Sequence, residues 1–505
     1  MNHSTSSPAT HSGQSPLRRM AEQAFSRAAG SPLSGGNRVE LLIDAQAHFD
    51  AWLTAIVSAR HSVLLENYII RDDTVGRRFR DALIERAAAG VRVFLLRDWL
   101  GCFREARRAY WNSLIAAGVE VRVWNPPRFD SPTGWISRDH RKLLVVDGTV
   151  GFVSGVCLSE KWLGNSAKSE PPWRDTGVVL HGPAVTELAS AFADSWAQLG
   201  SALPAEITAV ATSPAGDVDV RVIATVPATA GLFRLDQLIA AMARKRLWLT
   251  DAYFVGLAPY VQALGAAARD GVDVRLLVPG ASDIPAVARL SRAGYRPLLE
   301  SGVRVYEWNG SMLHAKTAVC DSRWARVGSS NLNIASWLGN CEIDIAVENA
   351  DFAKTMEAQY EADLRNATEI VLKRKRVLRG ADGKTRVHRG GGSSGRAAAG
   401  MLRLAHNVGA ALGNQRVLGR AEAASLPWAS VVLTATAVIG LIWPSVIAWP
   451  LAIVLALLGF SLFARFVRAH RDARQRNAQA PTVQADAFAQ SASSPHAASQ
   501  ISGEK

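Results

Sequence analysis

Two short stretches decide the fold: DHRKLLVVDG at residues 139–148 and LHAKTAVCDS at residues 313–322. Each carries a histidine, a lysine two residues later, and an aspartate five residues after the lysine. Because alternate residues of a strand face the same side, each histidine and its lysine are predicted to point together from one strand. With 11 histidines in the chain, chance would give on the order of 0.01 such matches, so two copies indicate a duplicated functional strand.

The segments around the two copies also repeat. VLLENYII at 63–70 is similar to LWLTDAYFV at 247–255, and AAGVEVRVW at 116–124 is similar to ESGVRVYEW at 300–308. Similar pairs in the same order indicate an internal duplication rather than two unrelated segments. Short apolar runs alternate with helix-like stretches throughout, which is the pattern of an α/β protein.

Composition and the repeat together divide the chain into six predicted segments. Stretches rich in serine, glycine and proline without apolar periodicity indicate disordered tails. The predicted order begins with a disordered tail at 1–36, the first repeat at 37–205 and the second repeat at 206–372. A basic linker at 373–424, a transmembrane helical hairpin at 425–467 and a second disordered tail at 468–505 follow.

The hairpin prediction rests on residues 423–464, which contain no charged side chain. A membrane-spanning helix needs about 20 apolar residues, so this length suits two spans that turn near Pro444. A buried hairpin of a soluble domain is the alternative, but such hairpins normally keep a polar face. Arginines flank both ends of the segment, which predicts that both ends face the cytoplasm, with the catalytic body on that side.

The charge distribution favours a membrane over a nucleic acid. Residues 373–505 hold 18 basic and 5 acidic side chains, which accounts for the whole net charge of +13. A basic segment beside an apolar one suits an anionic membrane surface, whereas a nucleic-acid enzyme normally carries its basic residues on the catalytic body. The four cysteines have no paired metal-type spacing, so neither a disulfide framework nor a metal site is expected.

Two histidines and two lysines in one site suit chemistry at a phosphodiester. Each motif pairs a histidine with a lysine, His140 with Lys142 and His314 with Lys316. The two lysines would neutralise the negative charge of the phosphate oxygens. One imidazole would attack phosphorus while the other gives a proton to the leaving alkoxide. Water as the acceptor makes a hydrolase, and an alcohol makes a transferase. The residues alone also leave open which histidine attacks, a phosphodiesterase acting on nucleic acid, and a catalytically silent membrane scaffold.

Further polar residues are candidates for binding the substrate or orienting the imidazoles. Several follow the second motif in GSSNLNIASWLGNCE, where a tight turn could line a phosphate pocket. Two acidic residues end matching strands of the repeats and could either orient the site or cap a loop. These candidates are Ser329, Asn331, Asn340 and Glu342 after the second motif, and Glu66 and Asp251 at the strand ends.

The duplicated motif followed by GSSN resembles the phospholipase D superfamily over about residues 38–370, and ENYIIRDD and VGSSNLNIASWLGNCEI are similar to bacterial cardiolipin synthases within it. The resemblance implies two tandem α/β/α sandwich repeats with pseudo-twofold symmetry and both motifs in one cleft. It also implies a metal-independent phosphatidyltransferase, whereas a location in the bacterial inner membrane is predicted from the uncharged segment 423–464 and its flanking arginines. That enzyme would make cardiolipin from phosphatidylglycerol through a phosphohistidine, without a cofactor, and hydrolysis as a phospholipase D is the alternative.

The resemblance further assigns roles by position. His140 would be the nucleophile and His314 the general acid. Binding of phosphate would fall to Lys142, Lys316 and Asn331, and support of the histidines to Asp147 and Asp321. The chain departs from the family pattern at Cys157, which stands where the first half usually has an asparagine, and at residues 334–337, where many members have an arginine and a serine.

Overall fold

The computed structural model describes residues 16–127, 136–165, 167, 169–208, 210 and 212–372, together with single positions between 434 and 452. The chain divides into two units, Met1–Val417 and Leu418–Lys505, and every element named below belongs to the first. The predicted linker and the C-terminal tail lie outside the described residues, as does the predicted hairpin apart from those single positions. Among the residues that are described, no helix combines the length and the apolar character needed to cross a membrane.

A mixed sheet of 15 strands forms the framework. The strands of the first half are β1 (Ser34–Ile43), β2 (Ser62–Asn67), β3 (Arg92–Asp98), β4 (Glu120–Trp124), β5 (Lys142–Val146), β6 (Val150–Ser154) and β7 (Thr176–His181). The strands of the second half are β8 (Val218–Thr225), β9 (Arg246–Thr250), β10 (Asp273–Pro279), β11 (Arg304–Trp308), β12 (Thr317–Cys320), β13 (Trp324–Gly328), β14 (Glu342–Glu348) and β15 (Ala367–Ile370).

Helices connect the strands and cover the sheet. They are α1 (Pro16–Ala29), α2 (Asp44–Ser58), α3 (Thr74–Ala88), α4 (Arg108–Ala116), α5 (Ala184–Ala197), α6 (Ala205–Thr208), α7 (Gly231–Met242), α8 (Ala258–Arg269), α9 (Pro285–Glu300) and α10 (Ala350–Leu364). Helices α2 to α4 pack on the first half, and α7 to α9 pack on the second. Helices α5 and α10 share one central core to which both halves contribute. The prediction of an α/β fold is therefore confirmed.

The strand order repeats on either side of the centre of the sheet. Outward from β1 the order is β7-β6-β5-β2-β3-β4, and outward from β8 it is β14-β13-β12-β9-β10-β11, with β15 added at the edge. The two halves thus have the same topology, as the internal duplication predicts. They also join edge to edge, because β1 pairs antiparallel with β8 through Asn37 and Val218. The result is one continuous sheet with the two motif strands, β5 and β12, well inside it.

The motif strands are buried along their whole length. All five residues of β5 and all four of β12 are buried, which fits apolar runs covered by helices on both faces. Each motif strand pairs antiparallel with two neighbours, β5 with β2 and β6, and β12 with β9 and β13. This pairing holds the residues at the strand starts rigidly, which is where both histidine–lysine pairs lie.

The prediction of a disordered tail over residues 1–36 was wrong for its second half. Residues 16–29 form α1, which packs against α7, and β1 begins at Ser34. Ala21, Phe25 and Ala29 recur every fourth residue, so they make an apolar stripe, and Phe25 and Ala29 join the core of the second repeat. The average composition of the segment concealed this stripe. The short helix α6 also crosses the predicted boundary between residues 205 and 206.

Candidate active site

Both histidines sit just before their motif strands, where each is tied to the opposite repeat. The His140 backbone N–H donates to the Cys341 carbonyl at 2.9 Å, and the His314 N–H donates to the Arg174 carbonyl at 2.7 Å. Cys341 immediately precedes β14 and Arg174 lies two residues before β7. Each histidine is therefore positioned by the strand entrance of the other half, which brings the two motifs to one place.

The two imidazoles line one cavity of about 440 Å³. The His140 side chain is 10% exposed and that of His314 is 5% exposed, so only small parts of the rings reach the cavity. Aromatic rings fix their orientation: the Tyr68 ring lies 4.8 Å from His140 and the Trp162 ring 5.3 Å from His314, both edge to face. Such packing restricts rotation of the imidazoles and presents them in a defined direction.

A carboxylate from the opposite repeat holds each imidazole. Glu342 Oε2 lies 2.9 Å from His140 Nδ1, and Asp175 Oδ2 lies 2.8 Å from His314 Nδ1. Glu342 opens β14 and Asp175 directly precedes β7, so the two carboxylates occupy equivalent places in the two halves. A carboxylate at Nδ1 favours the tautomer that carries its proton there, which leaves Nε2 as the atom available to a substrate.

Burial sets the charge states of these four groups. Burial lowers the pKa of His140 to about 4 against the opposing effect of Glu342, and it lowers the pKa of His314 to about 4 together with the nearby Lys316 ammonium. Burial opposes ionisation of the two carboxyl groups, but the neighbouring imidazoles and lysines outweigh it and lower the pKa of Glu342 and Asp175. At neutral pH these four groups are therefore two ionised carboxylates and two neutral imidazoles.

The two motif lysines lie fully buried beneath the histidines. Lys142 Nζ donates to the His140 carbonyl at 2.6 Å and lies 5.0 Å from the centre of the Tyr68 ring. Lys316 Nζ contacts the His314 carbonyl and lies 3.0 Å from His314 Nδ1, and burial lowers its pKa to about 8. Both ammonium groups place positive charge directly behind the imidazoles, in surroundings that screen charge weakly. An anionic phosphate at the imidazoles would be stabilised by this charge.

The expectation that Asp147 and Asp321 support the histidines was wrong. Asp147 accepts from the backbone N–H groups of Arg60, His61 and Ser62, at 2.7–2.9 Å, and Asp321 accepts in the same way from residues 244–246. A strand advances about 3.3 Å per residue, which carries each aspartate to the far end of the motif strand. Both adopt a left-handed backbone with φ 51°, and both anchor the turn there to the start of the neighbouring strand.

Glu66 does not face the cavity either, so its assignment to substrate binding was also wrong. Glu66 pairs in register with Leu143, whereas Asn67 is the residue opposite Lys142. Because side chains alternate along a strand, Glu66 points to the other face of the sheet, where Arg141 Nη1 lies 3.8 Å away. Burial raises the pKa of Glu66. Asp251, the matching residue of the second repeat, caps a loop: its carboxylate accepts a hydrogen bond from the N–H of Leu332 at 2.7 Å.

The predicted residues after the second motif are all close to the site, in different ways. Asn331 and Asn340 line the cavity. Ser329 Oγ donates to Glu342 Oε2 at 2.6 Å, and Asn340 Nδ2 donates to Glu342 Oε1 at 3.2 Å, so these two residues fix the carboxylate. Cys157 also lines the cavity from the first repeat, and burial raises the pKa of its thiol.

Sequence reasoning missed Asp175 and the aromatic walls of the cavity. Asp175 could have been found by aligning DTGVVLH at 175–181 with EIDIAVE at 342–348, because this alignment gives Asp175 the position equivalent to Glu342. Three of the aromatic residues lie on loops, where no periodicity marks them, and the fourth, Trp162, lies in a single 3₁₀ turn at Glu160–Leu163. They are Tyr68, Trp162, Trp173 and Tyr253.

Comparisons with known proteins agree on the family. A family model described as "Cardiolipin synthase, PLD-like domain" matches residues 52–196 and 236–364. Cardiolipin synthase A of Pseudomonas aeruginosa is 35% identical over 367 residues, covering 71% of this chain and 73% of that protein. Cardiolipin synthase of Halalkalibacterium halodurans is 32% identical over 350 residues, covering 68% and 69%. The crystal structure of phosphatidylserine synthase from Haemophilus influenzae shares the fold with a TM-score of 0.51 and 15% identity, covering 69% of this chain and 92% of that one.

Proposed function

This chain belongs to the family of cardiolipin synthases with a PLD-like domain, and we propose that it is a phosphatidyltransferase that makes cardiolipin from phosphatidylglycerol or a related phospholipid. Membership confirms the resemblance to the phospholipase D superfamily. One observation carries the proposal: two imidazoles from two repeats share a cavity, and each is held at Nδ1 by a carboxylate of the opposite repeat. This pairing supplies a nucleophile and a proton donor on either side of one phosphate.

In the first step, His140 Nε2 attacks the phosphorus of a phosphatidylglycerol. A P–N bond forms, the P–O bond to the headgroup glycerol breaks, and His314 gives its Nε2 proton to the leaving alkoxide. The phosphatidyl group is then bound to His140, and free glycerol departs. The geometry of the two imidazoles is equivalent and does not favour either one as nucleophile. The choice of His140 is therefore supported by the resemblance to the family.

In the second step, a hydroxyl of another phosphatidylglycerol attacks the phosphorus. His314 takes the proton of that hydroxyl while the P–N bond breaks, which regenerates both imidazoles and releases cardiolipin. Both imidazoles are neutral before the substrate binds, so His314 has to gain its first proton when it binds. The anionic phosphate favours this protonation because it adds negative charge beside an imidazole whose pKa is otherwise lowered by burial and by Lys316.

The remaining residues of the site have supporting parts in this mechanism. Lys142 and Lys316 stabilise the negative charge that develops on the phosphoryl oxygens. Asn331 and Asn340 line the cavity and offer amide groups to the headgroup or the phosphate. Glu342 and Asp175 orient the imidazoles and stabilise the imidazolium when it forms. These assignments require neither a metal ion nor a cofactor, and addition of a chelator is expected to leave turnover unchanged.

The location proposed for the enzyme is the bacterial inner membrane, with the catalytic body on the cytoplasmic side. The uncharged residues 423–464 and the arginines on both sides of them support a two-span hairpin anchored there. The preceding basic linker would hold the catalytic body near anionic headgroups. An anionic phospholipid is the expected partner, and nucleic acid is not.

Reconstitution into phosphatidylglycerol vesicles, followed by mass spectrometry of the lipids, tests the proposal. Cardiolipin and free glycerol are expected in equal amounts, and His140→Ala and His314→Ala should each abolish both. Phosphatidic acid without cardiolipin would show the alternative, hydrolysis by a phospholipase D. An unchanged lipid profile, also in mixtures with phosphatidylethanolamine, would contradict both reactions.

A further inference from the structure

The two repeats build the mouth of the cavity from different side chains. Of the described residues that line the cavity, the arginines and lysines belong to the first repeat, and they are Arg71, Arg138 and Lys161. The second repeat contributes a group of aliphatic side chains, here called the apolar lip, which consists of Ile284, Val287, Leu290 and Ile334. The strand order is the same in both repeats, so this asymmetry comes from the loops and helices alone.

The apolar lip is exposed although α9, which carries Val287 and Leu290, is well packed further along its length. Ile284, Leu290 and Ile334 are 44%, 56% and 40% exposed. The later part of α9 is in the core, where Tyr295 and Leu298 are buried. Residues spaced by three lie on one side of a helix, so the first turns of α9 present an aliphatic face that the fold does not use. Exposed aliphatic groups beside a cavity mark a contact surface.

The cationic side of the mouth is accessible as well. Arg138 is exposed and donates to the Tyr68 hydroxyl at 3.2 Å. Lys161 lies 3.5 Å from Asp283, and Arg71 pairs with Glu105, but both cations keep more than a third of their side-chain surface exposed, at 40% and 36%. Ion pairs this exposed are weak, so the cations remain available to the phosphate groups of a lipid surface.

We propose that the apolar lip enters the surface of an anionic phospholipid bilayer while the cationic side of the mouth contacts the headgroup phosphates. The cavity then opens directly onto the membrane. The inference rests on the proposed function, because a bilayer lipid whose acyl chains stay in the membrane can reach His140 only if the cavity mouth touches the bilayer. An aliphatic face next to cationic groups has the composition of a membrane-surface contact, which favours lipid over a protein partner.

Site-specific fluorescence in proteoliposomes tests this orientation in the full chain. The four native cysteines are buried, so a cysteine introduced at an exposed position can be labelled selectively. We would label Leu290→Cys and, as a matched control, Ile115→Cys on α4, which is 55% exposed. The vesicles contain phosphatidylglycerol with or without a spin-labelled lipid that quenches fluorophores at the membrane surface. The label at residue 290 should lose at least about half of its emission, and that at residue 115 should keep it.

The outcomes separate the possible surfaces. Equal quenching of both labels would show general proximity to the bilayer and overturn the proposal, as would no quenching of either. If the emission of the label at residue 290 is not quenched but shifts with increasing protein concentration, the apolar lip contacts another protein molecule instead. That result would also overturn the proposal. This experiment needs no turnover, so its failure is distinguishable from a failure to find cardiolipin synthesis.

Turnover with two physical forms of the substrate gives a second test. Leu290→Glu should lower the ratio of turnover on phosphatidylglycerol vesicles to turnover on monomeric dihexanoyl phosphatidylglycerol by about ten-fold, because a charge would have to enter the bilayer surface. Ile115→Glu should leave that ratio at the wild-type value. A Leu290→Glu ratio equal to that of the wild type would overturn the proposal even if cardiolipin is formed normally.

Discussion

Each imidazole of the site depends on one carboxylate of the opposite repeat. Glu342→Gln keeps the size of the side chain at His140 but removes the charge that fixes the Nδ1 tautomer and stabilises the imidazolium. We expect kcat to fall by about 10⁴-fold, the loss seen when the carboxylate that orients a catalytic imidazole is replaced by its amide. Steady-state cardiolipin synthesis by the purified variant would measure this. Asp175→Asn should give a similar loss through His314.

Asp147→Asn is the matched control for these variants. Asp147 belongs to the sequence motif, yet it accepts three backbone N–H groups at the far end of β5. The variant should unfold at a lower temperature, because it weakens that anchor, while the folded enzyme keeps kcat within about two-fold of the wild-type value. A loss of kcat as large as that of Glu342→Gln would refute the separation of roles drawn here.

Substrate binding should be coupled to proton uptake. Burial lowers the pKa of His140 and His314 to about 4, below the ordinary histidine value of 6.5, so between these pH values the two imidazoles bind fewer protons than two free histidines. A bound phosphate raises the histidine pKa again. Titration calorimetry with inorganic phosphate at pH 6, in buffers of different ionisation enthalpy, should therefore show uptake of roughly one proton. His314→Gln should reduce that number, and a wild-type value of zero would be incompatible with the proposed charge states.

The same pKa values give the direction of the pH dependence of folding. A histidine whose pKa is lowered in the folded state contributes stability above the unfolded pKa of 6.5, and this contribution is lost as pH falls towards 4. Unfolding temperature should therefore decline across this range, and the slope should be shallower in the double variant His140→Ala, His314→Ala. Equal slopes of unfolding temperature against pH for the two proteins would show that other groups cause the loss of stability at acidic pH.

At the scale of elements, α1 is an integral part of the second repeat. Phe25 is half-buried against the core around α7, so Phe25→Ala should lower the free energy of unfolding by about 1–3 kcal/mol. Met20 lies on the same helix and is 66% exposed, and Met20→Ala should change stability by less than about 0.5 kcal/mol. Denaturant unfolding of both variants measures the difference. Equal effects would mean that α1 contributes no specific packing.

The elements also show which parts of the molecule could be predicted from the sequence. The motif strands β5 and β12 were predictable because each lies within a copy of the same histidine–lysine–aspartate spacing, with the histidine and the lysine two residues apart as expected for one face of a strand. Helix α1 was missed because its stripe of small and apolar residues is short and sits in a polar composition. Asp147, Asp321 and Glu66 were misplaced for a geometric reason: motif spacing identifies residues along a strand, but which end or face reaches the cavity depends on register with the neighbouring strands. Asp175 depends on contacts across the two repeats, which no local pattern contains.

Across the unit Met1–Val417, a buried ion pair joins the two repeats in addition to the continuous sheet. Arg174 of the first repeat makes a buried bidentate ion pair with Asp363 of the second, at 2.8 and 2.9 Å. Arg174→Leu leaves the buried Asp363 unpaired and should destabilise the protein by about 3–5 kcal/mol. Arg296→Leu breaks the exposed pair with Glu300 and should cost less than about 1 kcal/mol. Calorimetry should show both repeats unfolding in one transition in the wild type, and two separate transitions would contradict the continuous sheet.

We propose that one cavity, assembled by both repeats, transfers a phosphatidyl group through His140. Rapid mixing of the enzyme with phosphatidylglycerol vesicles, alkaline quenching to preserve phosphoramidates, and peptide mass spectrometry would locate the intermediate. This mechanism predicts a phosphatidyl adduct on the peptide that contains His140, none on the peptide that contains His314, and no adduct or cardiolipin in His140→Ala. An adduct on His314, or cardiolipin formed by His140→Ala, would contradict it.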